Sequence, residues 1–575
     1  MAGTLVTRGS GLETGPGTAT YTGLVLAGLA RDPERVAIRY GEESLTAREC
    51  LEGVYRLARA LAATGLGRGD GVTVLAGNRP ETVLVRLAAN LIGCRVAMLY
   101  PDRPVADQIA MAEDALTAAF VFDPQRYGDA AQRIVSALPA VLPLGLGPTP
   151  LGADLLAEAG ELSPAPLAPR YRPDDVMAVR FTGGSTGRPK GVLRRFARPA
   201  RPELVAASVF LLCTALCHGG GTTADLALAA GGTVVLQDGF AAEAVLAAIE
   251  RYRVSRVYLP PHLLYRVLDH PALARTDTGS LRRVTYTGCP AAPERLAEAT
   301  RRLGRVLHQT YSLTECGPVS RLTPDEHLDP RLLTTAGRPF PDTEVRILDE
   351  DGEPLPTGRT GEICVRTPTA MAGYWRNPEL TAQVLRDGWL HTGDLGSLDR
   401  SGYLTVAGRQ GTMAIVEAHN VFPRDVEGPL LAHPAVREAV MFATTGTDRL
   451  ERVHAAVTTV PGAGVTAQQL HGWVRERSGP LCDPSTILLL PGLPLGETGK
   501  PDLAALRAMV PDAGAALSDS WAAPSGAGTV GAGTVRAGTA SGEAASGEAA
   551  SGEAASGEAG AVAPGSSGAG ARGKG

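Results

Sequence analysis

Between residues 21 and 409, short aliphatic runs alternate with stretches whose apolar residues recur at helical spacing. Residues 72–76 (VTVLA) precede a helical pattern over 81–89, and residues 232–236 (GTVVL) precede another over 242–252. The order repeats with RVYL at 256–259, a helix from His262, RVTY at 283–286 and a helix over 293–303. Strands alternating with helices predict βαβ units and parallel sheet covered on both faces. Strands at 344–348 and 362–365 instead flank the turn-rich DEDGEPLPTGRTG, which predicts a smaller antiparallel region. After the junction, strands at 439–443, 454–459 and 487–490 mix with helices at 424–431 and 468–477. The predicted fold class is therefore α/β. A large N-terminal domain over 21–409 carries doubly wound parallel or mixed sheets and the small antiparallel region, and a small α+β domain spans 410–512.

The periodic pattern ends near residue 513. Beyond it the chain is rich in Gly, Ala, Ser and Glu, with GAGTV at 526–530 and again at 531–535, and SGEAA three times from Ser541. So little apolar area cannot offset backbone ordering at roughly 1–2 kcal/mol per residue, so residues 513–575 are expected to be a disordered tail. A docking arm is the alternative reading. Residues 1–20 are expected to be flexible.

Composition narrows the partners. A chain of 575 residues is long enough for several cores, and its net charge of −5 with 20% charged residues offers no basic stripe for nucleic acid. Eight cysteines lie scattered without paired CxxC spacing, which predicts reduced thiols and a cytoplasmic location. Gly, Thr and Glu interrupt the first residues where a signal peptide needs an apolar run, and no window holds some 18 consecutive apolar residues, so no membrane span is expected. The expected partner is a small-molecule substrate. Oligomeric state stays open.

Only three of the 55 basic residues are lysines, and Lys190 and Lys500 sit in Gly/Thr/Pro clusters while Lys574 lies in the tail. A lysine against that arginine bias marks a place for a compact, movable ammonium. FTGGSTGRPKG at 181–191 follows the apolar VMAVR at 176–180. Its glycines let backbone N–H groups turn toward an anion, Thr182, Ser185 and Thr186 add hydroxyl donors, and Lys190 adds charge, so a polyphosphate is the expected guest. It is not a Walker A loop, because Pro189 precedes the lysine and Gly191 follows it. An ordinary flexible turn is the bland alternative.

These residues, with QTYSLTE at 309–315, GWLHTGD at 388–394, Gly408-Arg409 and LPLGETGK at 493–500, resemble in order the motifs of the adenylate-forming superfamily, which holds acyl-CoA synthetases, luciferases and peptide-synthetase adenylation domains. The resemblance covers roughly residues 20–510 and implies ATP, Mg²⁺ and a mobile C-terminal domain. It implies that Thr182, Gly183, Gly184, Ser185, Thr186, Gly187 and Lys190 cradle phosphates, with Thr186 also catalytic. Tyr311 would flank adenine, Thr314 would meet the α-phosphate, and Glu315 would bind the metal, a hard oxygen ligand for magnesium. Asp394 would accept from the ribose hydroxyls, and Arg409 would lie near ribose and phosphates. Lys500 would stabilise charge as the substrate oxygen attacks the α-phosphate. His218 would line the substrate pocket with Gly288, Cys289 and Pro290. Cys213 and Cys217 beside His218 read as packing residues rather than a zinc site, because no second cluster matches them. His454 and His471 read as core or surface histidines.

Two departures bear on the second half-reaction. Thr412 stands at the hinge, and Glu417-Ala418 replace a glycine pair that in thioester-forming members lets pantetheine pass. A carboxylate and a Cβ there crowd and repel a thiol carrier, so use of CoA is in doubt. Cys289 adds bulk where the family has a smaller residue, implying a small or flat substrate. Three outcomes stay open for the adenylate: an acyl- or aryl-CoA thioester, a diazo product from nitrite and an aryl amine, or an amide formed without CoA. A nucleotide sensor without turnover is the non-enzymatic alternative, and Lys500 speaks against it.

Overall fold

The computed structural model describes residues 20–101, 103–182, 190–197, 207–289, 291–410, 413–416, 419–445, 451–496 and 500–510. The tail read from composition and the first nineteen residues lie outside these.

Strands form where the aliphatic runs stand. The largest sheet has nine strands, in the order Arg338–Pro339, Gly317–Leu322, Leu307–Leu313, Arg283–Tyr286, Arg256–Tyr258, Val209–Leu212, Thr233–Leu236, Val36–Tyr40 and Glu43–Thr46. The six strands from Leu307–Leu313 to Val36–Tyr40 are parallel, and both edges are antiparallel. A seven-stranded sheet runs Ala153–Asp154, Leu142–Gly145, Thr117–Phe122, Gly71–Leu75, Arg95–Met98, Val176–Thr182 and Lys190–Arg195. It is parallel up to its last hairpin.

Helices fill the space between the two sheets. Every residue of helix Pro80–Leu91 except Glu81 is buried, which fits a helix enclosed on all sides better than a surface helix with one apolar face. One buried cluster joins Val54 and Leu57 of helix Ala47–Ala63, Val85 of helix Pro80–Leu91 and Leu228 of helix Gly219–Ala229 to both sheets, through Val74 and Val234.

The predicted antiparallel region is present: Glu344–Leu348 pairs with Gly361–Arg366, which pairs with Trp389–Leu398, which pairs with Leu404–Arg409. The turn-rich stretch between the first two is closed by Asp349, whose Oδ1 accepts from the N–H of Asp351 (3.0 Å) and of Glu353 (2.9 Å).

The C-terminal α+β domain has strands Val436–Thr445, Glu451–Thr459 and Thr486–Leu490 with helices Pro423–Leu431 and Ala467–Ser478. Val426 and Leu430 belong to the same buried cluster as Leu296 and Leu303 of the large domain, and Arg437 pairs with Asp269 at 3.0 Å. Glu427, on helix Pro423–Leu431, accepts from the Met441 N–H at 2.9 Å. Burial pushes its carboxyl up to about 7, against the pull of that hydrogen bond. The folded state therefore holds this proton more tightly than the unfolded chain, and stability is lost as pH rises from the ordinary carboxyl range through about 7. Glu427→Gln should gain about 1–2 kcal/mol over the natural protein above that range and nothing in acid, as read by urea unfolding at both pH values.

Candidate active site

Two strand pairings and the C-terminal domain bring the predicted residues toward one another. In the hairpin of Val176–Thr182 with Lys190–Arg195, Thr182 is the register partner of Lys190. The residues between them, Gly183, Gly184, Ser185, Thr186 and Gly187 among them, lie outside the described residues. Segment 373–375 runs alongside the return strand: the Trp375 N–H donates to the Gly191 carbonyl (2.7 Å) and the Leu193 N–H to the Gly373 carbonyl (3.0 Å). A Cβ on Gly191 would stand 2.7 Å from Val179 Cγ1 and 3.2 Å from Trp375 Cβ, so this close approach requires glycine.

The approach puts the Tyr374 ring 5.9 Å from Lys190 Nζ and its hydroxyl within 2.9 Å of Glu315 Oε1, to which it donates. Burial and then the Glu315 charge hold that hydroxyl above the usual tyrosine range, so it remains a donor. The backbone of this strip is fixed by Arg194, 5% exposed, which donates to the carbonyls of Thr369 (2.9 Å) and Thr314. The Met371 N–H donates to the Glu315 carbonyl at 2.6 Å.

In the second pairing, Asp394 on Trp389–Leu398 faces Arg409 on Leu404–Arg409. Arg409 Nε donates to Asp394 Oδ1 and the Tyr311 hydroxyl to Oδ2, each at 2.6 Å. Gly393 holds φ +69°, a conformation open to glycine at little cost, and its N–H meets Glu362 Oε1 at 3.1 Å. Glu362 Oε2 also lies 2.8 Å from His391 Nδ1, and Cys364 Sγ lies 3.4 Å from the same nitrogen. Among the described residues these three form a group compact enough for an ion; here their hydrogen bonds satisfy one another. Asp394 is only 6% exposed. It and Tyr311 sit behind the cavity wall, with Arg409 in front at the surface.

The third element is the C-terminal domain. Lys500 lines the same cavity, of about 1090 Å³, as Lys190, Glu315 and Arg409. Its ammonium keeps solvent access but is drawn below the usual lysine range, first by the enclosing walls and then by the Arg409 charge, with Asp394, Cys289 and Glu315 opposing. Thr182, Thr314, His218, Gly288 and Cys289 line this cavity too. His218 precedes helix Gly219–Ala229 and stacks on Tyr100 at 5.0 Å. Burial pushes the Cys289 thiol up to about 12, so it stays neutral. Pro290, Thr412, Glu417 and Ala418 lie outside the described residues.

The remaining expectations concern sites elsewhere. All eight cysteines are free. Cys213 is buried and Cys217 partly so. His454 is buried against Thr444 Oγ1 (2.8 Å), and His471 meets Asp483 at 2.7 Å. No helix among the described residues is long and apolar enough to cross a membrane.

Sequence reading missed Tyr374 and Arg194, which act through neighbours and carry no motif. It also missed Arg256, Arg283, His308 and Arg321, which line the cavity floor. A signal for these existed: RVYL and RVTY put a polar residue at alternate positions of strands expected to be apolar on both faces.

Comparison with known proteins agrees with this geometry. Residues 27–375 match the AMP-binding enzyme family and residues 425–500 the AMP-binding enzyme C-terminal domain. The medium/long-chain-fatty-acid–CoA ligase FadD8 of Mycobacterium tuberculosis is 33% identical, over 85% of this chain and 90% of its own length. The feruloyl-CoA synthase of an Amycolatopsis species is 31% identical, over 81% and 94%. The solved amide bond synthetase McbA from Marinactinospora thermotolerans is 39% identical, covers 85% of this chain and 99% of its own, and superposes with a TM-score of 0.78.

Proposed function

Because the chain belongs to the AMP-binding enzyme family and is an ATP-dependent adenylate-forming ligase, we propose that it activates a carboxylic acid and passes the acyl group to an amine without CoA. The observation that carries this reading is the 39% identity to an amide bond synthetase over 99% of that protein, against 33% and 31% to the two CoA ligases. Glu417 and Ala418, at the place of the pantetheine glycines, support it.

A carboxylate oxygen attacks the α-phosphorus of ATP, the bond to the β-phosphate oxygen breaks, and pyrophosphate leaves. The amine then attacks the acyl carbon, AMP departs with the bonding pair, and the amine proton passes to solvent. Lys500 faces the charge that grows on the α-phosphate. Lys190, Thr182 and residues 183–187, Thr186 included, hold the phosphates. Arg409 and Asp394 hold the ribose side, Tyr311 and Thr314 the adenine and α-phosphate. His218, Gly288, Cys289 and Pro290 bound the acid.

The donor set fits magnesium: Glu315 offers a carboxylate on the cavity wall, and among the described residues only one of its oxygens takes a side-chain hydrogen bond, from Tyr374. Bound there with phosphate oxygens, the metal would supply neutralising charge. Tyr374→Phe frees the oxygen it now orients and should raise the magnesium needed for half-maximal pyrophosphate release by about tenfold, the worth of one hydrogen bond to a charged group. An unchanged magnesium curve would separate Tyr374 from Glu315 function.

The decisive experiment incubates the protein with ATP, magnesium, and aryl acids, fatty acids or nitrite, each with CoA or an amine, and identifies products by mass. Acid-dependent pyrophosphate release with an amide product is expected. A thioester formed only with CoA, or a diazo product formed only with nitrite, would overturn the amide reading while leaving adenylation in place.

A further inference from the structure

The floor of the cavity carries three guanidinium groups and an imidazole that the reaction above does not use. Arg256 and Arg283 are register partners on adjacent parallel strands. On the next strand, His308 Nδ1 lies 3.0 Å from an Arg283 terminal nitrogen. Arg321 follows on the antiparallel neighbour, with its guanidinium 5.2 Å from the Phe340 ring centroid. All four line the cavity that holds Lys500 and Glu315.

The charges that act on Arg283 are both positive, Arg256 and Arg321. Burial first, and then these cations, bring its guanidinium down to about 10, and burial with Arg283, His327, Arg256 and Arg321 brings His308 down to about 3. Asp349 and Glu350 also border the cavity, but no carboxylate is among the charges acting on either group. Among the described residues, no ion pair forms at Arg283 or Arg321. Arg283 and Arg321, partly buried near other guanidinium groups and without an ion pair among the described residues, are repelled by like charge and lose hydration. An incoming anion removes both costs and is met by planar forks suited to carboxylate.

The cluster is set apart from the reacting end. Arg283 and Thr285 of strand Arg283–Tyr286 line the cavity as alternate residues, and Thr287, just past the strand's end, lines it too. Thr287 Oγ1 lies 3.3 Å from Ser312 Oγ, and Gly288 and Cys289 follow it. Four residues at about 3.3 Å each separate Arg283 from Thr287 by roughly 13 Å along the strand.

On the reading that the chain activates a carboxylic acid, we propose that this acid carries a second anionic group, roughly 13 Å from the reacting carboxylate, received by Arg283 with Arg256, Arg321 and His308. The acid is thus held at both ends. One carboxylate faces Lys500, and the other sits in the cationic floor, which sets the length and charge of the substrate.

The test compares three acids of one length that bridges this distance: a dicarboxylic acid, its monomethyl ester and the ω-amino acid, with kcat/KM read by pyrophosphate release. The dianion should exceed the monoester by about 30-fold or more. The amino acid should be poorer still. Arg283→Gln should bring the ratio of dianion to monoester close to one, and Arg283→Lys should keep part of it. Calorimetry without ATP should show the dianion binding the natural protein and not the Arg283→Gln protein, which separates recognition from turnover. If Arg283→Gln does not fold by circular dichroism, Arg321→Gln takes its place. Equal rates for dianion and monoester, or a preference that survives in the folded variant, would overturn the inference while adenylation stands. Absence of pyrophosphate release with every acid would overturn the ligase reading itself.

Discussion

Replacing Lys500 with alanine should slow adenylation by about 10²–10⁴-fold while ATP binding changes by no more than a few-fold. The reason lies in where the cation comes from. Lys190 and Glu315 belong to the large domain, whereas Lys500 is carried by the C-terminal domain into the same cavity. On the proposed reading, a cation at that position contributes most when charge builds on the α-phosphate, and less to the resting nucleotide, whose phosphates Lys190 would already face. Lys500→Arg should restore little, since a planar fork does not place its charge where a compact ammonium does. The ammonium is drawn below the usual lysine range. Activity that depends on the protonated form should therefore fall, as pH rises, earlier than for an ordinary lysine. Pyrophosphate release under saturating ATP, with calorimetric ATP binding beside it, reads both quantities. Release at the natural rate in Lys500→Ala would remove the cation from the mechanism.

Asp225→Ala should cost about 3–5 kcal/mol of stability, the second large effect. Asp225, 2% exposed, accepts from two terminal nitrogens of Arg86 at 2.8 and 3.3 Å and from the Tyr21 hydroxyl at 3.1 Å. These residues come from helices Gly219–Ala229, Pro80–Leu91 and Tyr21–Ala30. Arg86 Nε is buried with no partner of its own. Removing the carboxylate leaves a guanidinium in the interior with neither water nor counter-charge, and that penalty exceeds the attraction lost. The double change Arg86→Met with Asp225→Leu should be far milder, because it removes both charges and fills the space with apolar groups. Urea unfolding decides the matter: a loss below about 1 kcal/mol in Asp225→Ala would mean that water reaches the pair.

Much of the fold was legible because its strands are strongly patterned. RVTY became the strand Arg283–Tyr286, and the helix read over 293–303 became Pro293–Leu303. Val36–Tyr40 was not anticipated. Its parallel pairing with Thr233–Leu236 joins segments nearly 200 residues apart, and no local pattern encodes such a partner. The glycine-rich, TE, GD and GR motifs indicated a nucleotide site because each supplies donors, charge or a metal ligand within a few residues. Tyr374 and Arg194 act at Glu315 and Thr314 from remote segments, so spacing could not reveal them.

The sequence by itself determined the alternation of strand and helix, the two-domain α/β class and the short motifs that belong to adenylate-forming ligases. All of these are written in residues close together in the chain. The tertiary structure alone decided that Asp394 stands behind Arg409, that Tyr374 donates to Glu315, that Lys500 shares a cavity with Lys190, and that three arginines and a histidine on neighbouring strands form one floor. Electrostatic and hydrogen-bond energies depend on separation in space and on the water excluded between groups. Neither is fixed by order along a chain until long-range strand pairing brings the groups together.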